Sequence, residues 1–191
     1  MATTQPIKRK KDINALKKYF LARKEYRNYT LLTLGINTPL RISDMLLLTW
    51  QDVYNEHKKH WRQHITVIEQ KTGKTSIIAL NKSAVSALNL LYEHMEPLST
   101  DYIFKSRNTK NKPISRSRAY SIIRAAAEEL GIEERIRCHS LRKTYGYHAW
   151  KKGVPPAVIM EIYNHSSIEI TKRYLSIDQD EKDKVTLSLN L

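Results

Sequence analysis

Cysteine is almost missing from this chain. Cys138 is the only one in 191 residues, so neither a disulfide framework nor a cysteine-rich zinc module can organise the fold. No apolar run approaches the roughly 18 to 20 residues that a bilayer-crossing helix needs, and the first residues carry no apolar signal segment. These absences lead us to expect a cytoplasmic, nucleoid-associated protein with no membrane contact. Long acidic runs are lacking too, and nothing offsets the abundant basic residues. Thirty-three Lys and Arg against nineteen Asp and Glu give a formal charge of +14 and a pI near 9.8. Such a balance points to a polyanionic partner, of which nucleic acid is the commonest. The competing reading, a basic surface kept for solubility, is weakened because the charge is spread along the chain.

At this length and 41% hydrophobic content, one well-packed domain is expected. Residues 1–11, with Lys8-Arg9-Lys10-Lys11, read as a mobile basic arm able to touch phosphates without reading sequence. From Asp12 to Leu34, apolar residues at helical intervals predict two helices or one broken helix, stopped by Gly35. Thr38 and Ser43 compete to cap the next helix, which starts around Arg41 and runs through Met45–Leu48 to near Trp50. Between Trp61 and Leu80, β-branched residues flank Lys71-Thr72-Gly73-Lys74, the pattern of an antiparallel hairpin. Helices are then predicted over Ser83–Met95, Ser115–Leu130, His139–Lys152 and Pro155–Tyr163. A capping box, Ser166-Ser167-Ile168-Glu169, opens one more, leading to Tyr174. The tail from Asp178 is first acidic, then alternates Val185, Leu187, Leu189, Leu191.

Six residues carry the chemistry: Arg41, Lys71, His139, Arg142, His165 and Tyr174. His139 lies three residues before Arg142, His165 follows that arginine by 23 positions, and Tyr174 follows by nine more. Guanidinium groups grip the non-bridging oxygens of a phosphodiester under attack, where extra negative charge develops. A tyrosine hydroxyl, near pKa 10 when free, is a poor nucleophile unless cations and a base favour its phenolate. The departing alkoxide is a stronger base still, so a lysine acting as general acid is valuable. This set suffices to break a phosphodiester without a metal, if the fold brings it together.

Leu40-Arg41-Ile42-Ser43-Asp44, the hairpin Lys71, His139-x-x-Arg142, His165-Ser166-Ser167 and Arg173-Tyr174 together resemble the catalytic domain of the tyrosine recombinases, the phage-integrase family. The likeness covers residues 12–177. It implies a mainly α fold with a small antiparallel β-sheet (α+β) that holds double-stranded DNA in a basic groove. By this likeness Arg41 and Arg142 clamp the scissile phosphate and His165 gives it a further hydrogen bond. His139 acts as base or positions the phosphate, Lys71 protonates the 5′ oxygen, and Tyr174 forms a 3′-phosphotyrosine. Asp44 is expected to hold Arg41 by an ion pair. No cofactor is implied. The implied partners are DNA and further copies of the chain, as a homotetramer on two paired sites, with room for an accessory DNA-bending protein. Residues 178–191 either dock on a neighbouring protomer or pack on their own domain.

The family pattern is not matched everywhere. Asn164 stands where a glycine usually precedes the second histidine, and Thr38-Pro39 stands where threonine-glycine is common. Most members also carry a separate N-terminal helical domain, for which this chain has no room. That leaves a minimal recombinase of the fimbrial-switch type or a fragment. Other residues have plainer readings. His57, His60 and His64 have ligand-like spacing but belong to a solvated hairpin, and Cys138 reads as a buried, inert thiol. Tyr145, Tyr147 and Tyr163 compete with Tyr174 as nucleophile but fall where aromatics pack, and Lys74 competes with Lys71. Two rival functions stand beside site-specific recombination: type IB topoisomerase-like nicking and closing, and a basic DNA-binding accessory protein with a decayed site.

Overall fold

The structure, a computed structural model, describes residues 4–107, 109–132 and 136–189; Met1–Thr3 of the expected arm and Asn190–Leu191 of the tail lie outside these. Two helices, α1 (Lys10–Ala22) and α2 (Tyr26–Asn37), open the chain. Leu16 and Phe20, four apart on α1, are fully buried, as their spacing on one helical face requires. Gly35 does not end α2. It lies within the helix, where an added Cβ would meet Leu141 Cδ1 at 2.6 Å and Leu141 Cβ at 2.9 Å. The glycine is therefore there for close helix approach, not for termination.

Thr38 closes α2 instead of opening the next helix: its hydroxyl donates to the Leu34 carbonyl at 2.8 Å. The short α3 (Ile42–Leu46) follows directly on the extended Arg41 without a side-chain cap from Thr38 or Ser43. Leu47 is exposed, and the continuous helix expected to reach Trp50 breaks there. In α4 (Trp50–Val53) the Asp52 carboxylate accepts from both the amide and the hydroxyl of Thr49. A small pair, β1 (Tyr54–Asn55) and β2 (His60–Trp61), precedes the longer antiparallel hairpin of β3 (His64–Ile68) and β4 (Thr75–Ala79). Ile65 opposes Ile78 and Val67 opposes Ser76, and Ile65 and Val67 face inward on the alternation of a half-buried strand.

Five helices follow the hairpin: α5 (Lys82–Met95), α6 (Arg116–Glu129), α7 (Cys138–Lys151), α8 (Pro156–Tyr163) and α9 (Ile168–Leu175). Asn81 and Ser115 cap α5 and α6 through their side-chain oxygens. The expected capping box before α9 does not form: Ser167, not Ser166, is the cap and accepts from the Ile170 amide at 3.2 Å, and Ile170 has no side-chain oxygen to reciprocate. A last helix, α10 (Asp178–Leu189), carries the alternating apolar residues, with Val185, Leu187 and Leu189 exposed.

Two apolar clusters support this architecture. The larger unites α1, α2, α5, α6 and the hairpin, while a smaller one joins Tyr147, Ile159, Tyr163, Leu175 and Ile177. Helix α7 belongs to both, through Leu141 and Tyr147 respectively. Residues 4–9 are also part of the domain, where a mobile arm was expected. Ile7 is fully buried, its amide donates to Thr144 Oγ1 at 2.8 Å, and its carbonyl meets His148 Nε2 at 3.0 Å. Burying one isoleucine side chain contributes about 1.5–3 kcal/mol, which offsets the ordering of one or two residues, and the bonds of Thr4, Ile7 and Lys8 add to it.

Gly35→Ala is expected to destabilise the protein by about 1–3 kcal/mol, because the new methyl meets the rigid Leu141 Cβ and α2 and α7 must separate. Denaturant unfolding measures the loss; an unchanged midpoint would show that the helices tolerate the wider spacing.

Candidate active site

Arg41 leaves the chain at the turn-to-helix junction before α3, and its Nη1 donates to Glu69 Oε2 at 2.5 Å. The expected partner, Asp44, does other work: it accepts from the Gln70 amide at 3.1 Å and so ties α3 to the hairpin. Glu69 is buried just past β3 and also accepts from Thr72 Oγ1 and Ser76 Oγ. Burial pushes its carboxyl up, but the hydrogen bonds from Thr72, Arg41 and Ser76 outweigh this and hold it below the usual range. Its signal in the sequence is its register: Ile65, Val67 and Glu69 share the inward face, and a carboxylate at a core-facing position requires a cationic or hydrogen-bonding partner.

Helix α7 presents His139 and Arg142 on one face. Arg142 is 5% exposed, its guanidinium sits 4.6 Å from the centre of the Tyr163 ring, and its carbonyl accepts from the Tyr163 hydroxyl at 2.6 Å. Burial lowers the affinity of His139 for a proton, and Arg142, Lys143, Arg41 and Lys71 lower it further. His139 is consequently neutral at neutral pH and can accept a proton.

His165 follows Asn164, which adopts φ +54°, the left-handed conformation that glycine or asparagine takes most readily. The departure from the usual glycine is thus conformationally equivalent. His165 Nδ1 lies 3.0 Å from Thr171 Oγ1, whose hydroxyl donates to the Ser167 carbonyl at 3.1 Å. In that arrangement Nδ1–H donates to Thr171 and Nε2 carries the lone pair. Donation from Nε2 to a phosphate oxygen requires a protonated ring, or Thr171 turning its hydrogen onto Nδ1. Burial first, then Arg142 and Arg41, keep this ring below its ordinary value.

Tyr174 lies late in α9, with its ring centre 5.1 Å from that of His165 and 5.8 Å from that of His139. Its hydroxyl is buried and finds no hydrogen-bond partner among the described residues. Burial raises the phenol above its ordinary value, while Arg142 and Arg41 act in the opposite sense. All six candidates, Arg41, Lys71, His139, Arg142, His165 and Tyr174, line one cleft of about 930 Å³. Lys74 instead lines an adjoining cavity of about 400 Å³ that shares Arg41, Arg142 and Asn164 with the cleft. Arg116, at the start of α6, also lines the main cleft and was not singled out from the sequence.

The competing tyrosines have other surroundings. Tyr163 is fully buried against Arg142, Tyr147 donates to Asp180 at 2.8 Å, and Tyr145 lines the smaller cavity. Burial pushes the Cys138 thiol up to about 11, which keeps it protonated. His57, His60 and His64 are exposed on a turn and two different strands, so no helical face aligns them. No helix among the described residues is long and apolar enough to cross a membrane.

The sequence model of the phage integrase family matches residues 8–181. The chain belongs to the phage integrase family. Among similar proteins, this family member is 41% identical over 181 residues to the probable integrase/recombinase YoeC of Bacillus subtilis (strain 168), covering 94% of this chain and 93% of that one. It is 28% identical over 147 residues to the tyrosine recombinase XerD of Chlorobaculum tepidum, covering 74% of this chain but 46% of XerD. The chain thus spans nearly all of YoeC and about half of XerD. Its fold is that of the XerA recombinase crystal structure, with TM-score 0.76 at 19% identity over 100% of this chain and 66% of that one. A post-cleavage complex of XerH with a palindromic difH substrate aligns with TM-score 0.74 at 16% identity, over 97% of this chain and 53% of XerH. The expected mainly α architecture with small antiparallel sheets is the one observed.

Glu69→Gln removes the charge that holds Arg41 and is expected to cost about 2–3 kcal/mol at neutral pH. A carboxyl depressed by folding stabilises above its unfolded value, near pH 4, and loses that contribution as pH falls through the lower folded value. The variant should therefore show a shallower loss of stability below about pH 4 than the parent protein. Denaturation midpoints across pH 2–7 measure this, and parallel curves would remove Glu69 from the account.

Proposed function

We propose that this chain is a site-specific DNA recombinase that cuts and rejoins strands through a covalent 3′-phosphotyrosine, without metal or ATP. The observation that carries the reading is the Tyr174 hydroxyl, buried and without a partner among the described residues, in the same cleft as two arginines, two imidazoles and a lysine. A buried hydroxyl left unpaired costs about 1–3 kcal/mol, and a phosphate oxygen presented by Arg41 and Arg142 relieves that cost. XerH, similar in fold, is captured on a palindromic difH substrate, and the net charge of +14 suits a duplex partner.

In this mechanism Arg41 and Arg142 bind the non-bridging oxygens of the scissile phosphate, and His165 adds a further hydrogen bond. His139, neutral, takes the phenolic proton as Tyr174 Oη bonds to phosphorus. The P–O5′ bond breaks and Lys71 protonates the departing 5′ oxygen. The phosphotyrosine conserves the ester, so a 5′ hydroxyl from a second strand reverses the step and releases Tyr174. We assign the catalytic domain to residues 12–177, with residues 4–9 fixed on α7 as its support. We assign α10 to docking between protomers of a tetramer on two paired sites, because Val185, Leu187 and Leu189 are exposed on it.

A nicked suicide substrate tests the chemistry. The protein should trap a covalent adduct, Tyr174→Phe should trap none, and Lys71→Ala should slow cleavage by about 10²–10⁴. A 5′-bridging sulfur leaving group, which needs no proton, should restore the Lys71→Ala rate, whereas Lys74→Ala should cleave normally. Absence of any adduct would favour an accessory binding protein; relaxation of supercoils without recombinant junctions would favour a topoisomerase. Assembly has its own test in Leu187→Lys with Leu189→Lys, expected to weaken multimers on DNA in gel-shift titrations without abolishing the adduct. Unchanged multimers would reject trans docking of α10.

A further inference from the structure

Lys143, next to Arg142 on α7, is a buried cation to which the mechanism above gives no task. It is 5% exposed, and its Nζ donates to the Thr4 carbonyl at 2.7 Å. No carboxylate pairs with it among the described residues. The same Nζ lies 5.1 Å from the centre of the Tyr174 ring. An ammonium withdrawn from water loses its hydration, and one carbonyl returns only part of it. Such a group calls for a negative charge close by, and the Tyr174 phenol, which becomes negative on losing its proton, lies against it. A cation over an aromatic face attracts the ring's π-electrons, and attracts a phenolate far more strongly than a phenol.

We propose that Lys143 is a positioning residue for the nucleophile: its ammonium, tethered to the Thr4 carbonyl, seats the Tyr174 ring and supplies the counter-charge for the phenolate as the bond to phosphorus forms. The phenolic proton still leaves to His139, so Lys143 exchanges none. The tether gives residues 4–9 a functional task, since burial of Ile7 and its bonds to Thr144 and His148 hold the Thr4 carbonyl over α7. Lys8 adds to this by bonding Asp180, which also accepts from Tyr147. The other groups facing Tyr174 are His139 and Arg142 on α7, Arg41 before α3, Tyr163 at the end of α8, His165 before α9 and Lys71 across the cleft. All remain in a Lys143 variant, so a change in Tyr174 ionisation reports on Lys143.

This inference rests on Tyr174 being the nucleophile, and the experiment separates the two. Lys143→Met should form the suicide-substrate adduct roughly tenfold more slowly at neutral pH, with the deficit closing as pH rises. Lys143→Arg, which keeps the charge, should retain the parent pH profile. Ultraviolet titration of each protein against its own Tyr174→Phe counterpart should show Tyr174 ionising at higher pH in Lys143→Met than in the parent. A deficit equal at every pH, with Tyr174 ionisation unmoved, would reduce Lys143 to a packing residue and overturn the proposal while leaving the nucleophile assignment intact. If the methionine variant does not fold, the arginine variant decides: loss of its adduct despite the retained charge overturns the proposal. Absence of an adduct in the parent protein, or an adduct that survives Tyr174→Phe, removes both.

Discussion

Holding several positive groups against one another is the constraint on which this structure turns. Arg41, Arg142, Lys71 and two imidazoles converge on one cleft, Lys143 lies behind it against the Tyr174 ring, and the buried carboxylate of Glu69 bonds Arg41 from beside it. Like charges in a partly buried space repel, and the repulsion is visible in the two histidines, both held below their ordinary values by burial and by the arginines. Only packing elsewhere can sustain such crowding. The same crowding makes the cleft ready for a phosphate, whose charge relieves it.

Helix α7 supplies that packing. It reaches into the large cluster through Leu141 and into the small one through Tyr147, so the face between them, with His139 and Arg142, cannot drift relative to either. Close approach on both sides depends on missing side chains. Leu141 abuts Gly35 of α2, and a Cβ at Gly146 would lie 2.6 Å from both the Tyr163 hydroxyl and Leu175 Cδ2. That second contact lets the Tyr163 hydroxyl reach the Arg142 carbonyl and brings α8 and α9, with His165 and Tyr174, against α7. The cleft is therefore the seam between two cores, and α7 is the element they share.

The hairpin and the N-terminal segment complete the seam from outside. Glu69 joins the hairpin to Arg41, and Asp44 joins it to α3 through the Gln70 amide, so Lys71 sits on a turn anchored at its base yet exposed at its tip. The general acid proposed at Lys71, which must reach a leaving group and then withdraw, suits such a place. Residues 4–9 brace α7 from the opposite side, ending at Lys143 and the Tyr174 ring.

Most helices, the hairpin and the gathering of the six candidates were legible in the residue order, because helical and strand periodicities are local and the candidate groups are chemically distinctive. Asn164 was legible only as an anomaly; its positive φ explains why asparagine can replace glycine there. Misreadings arose where a residue's role depended on what lies across from it. Gly35 looked like a stop because nothing nearby in sequence announces Leu141, and Asp44 looked like the partner of Arg41 because Glu69 is 28 positions away. The basic opening segment looked free because Ile7 finds its pocket on a helix more than 130 residues later. Local order thus settles which groups are available and which elements carry them. Long-range packing settles which charge faces which, because burial and ion pairing depend on distances through space.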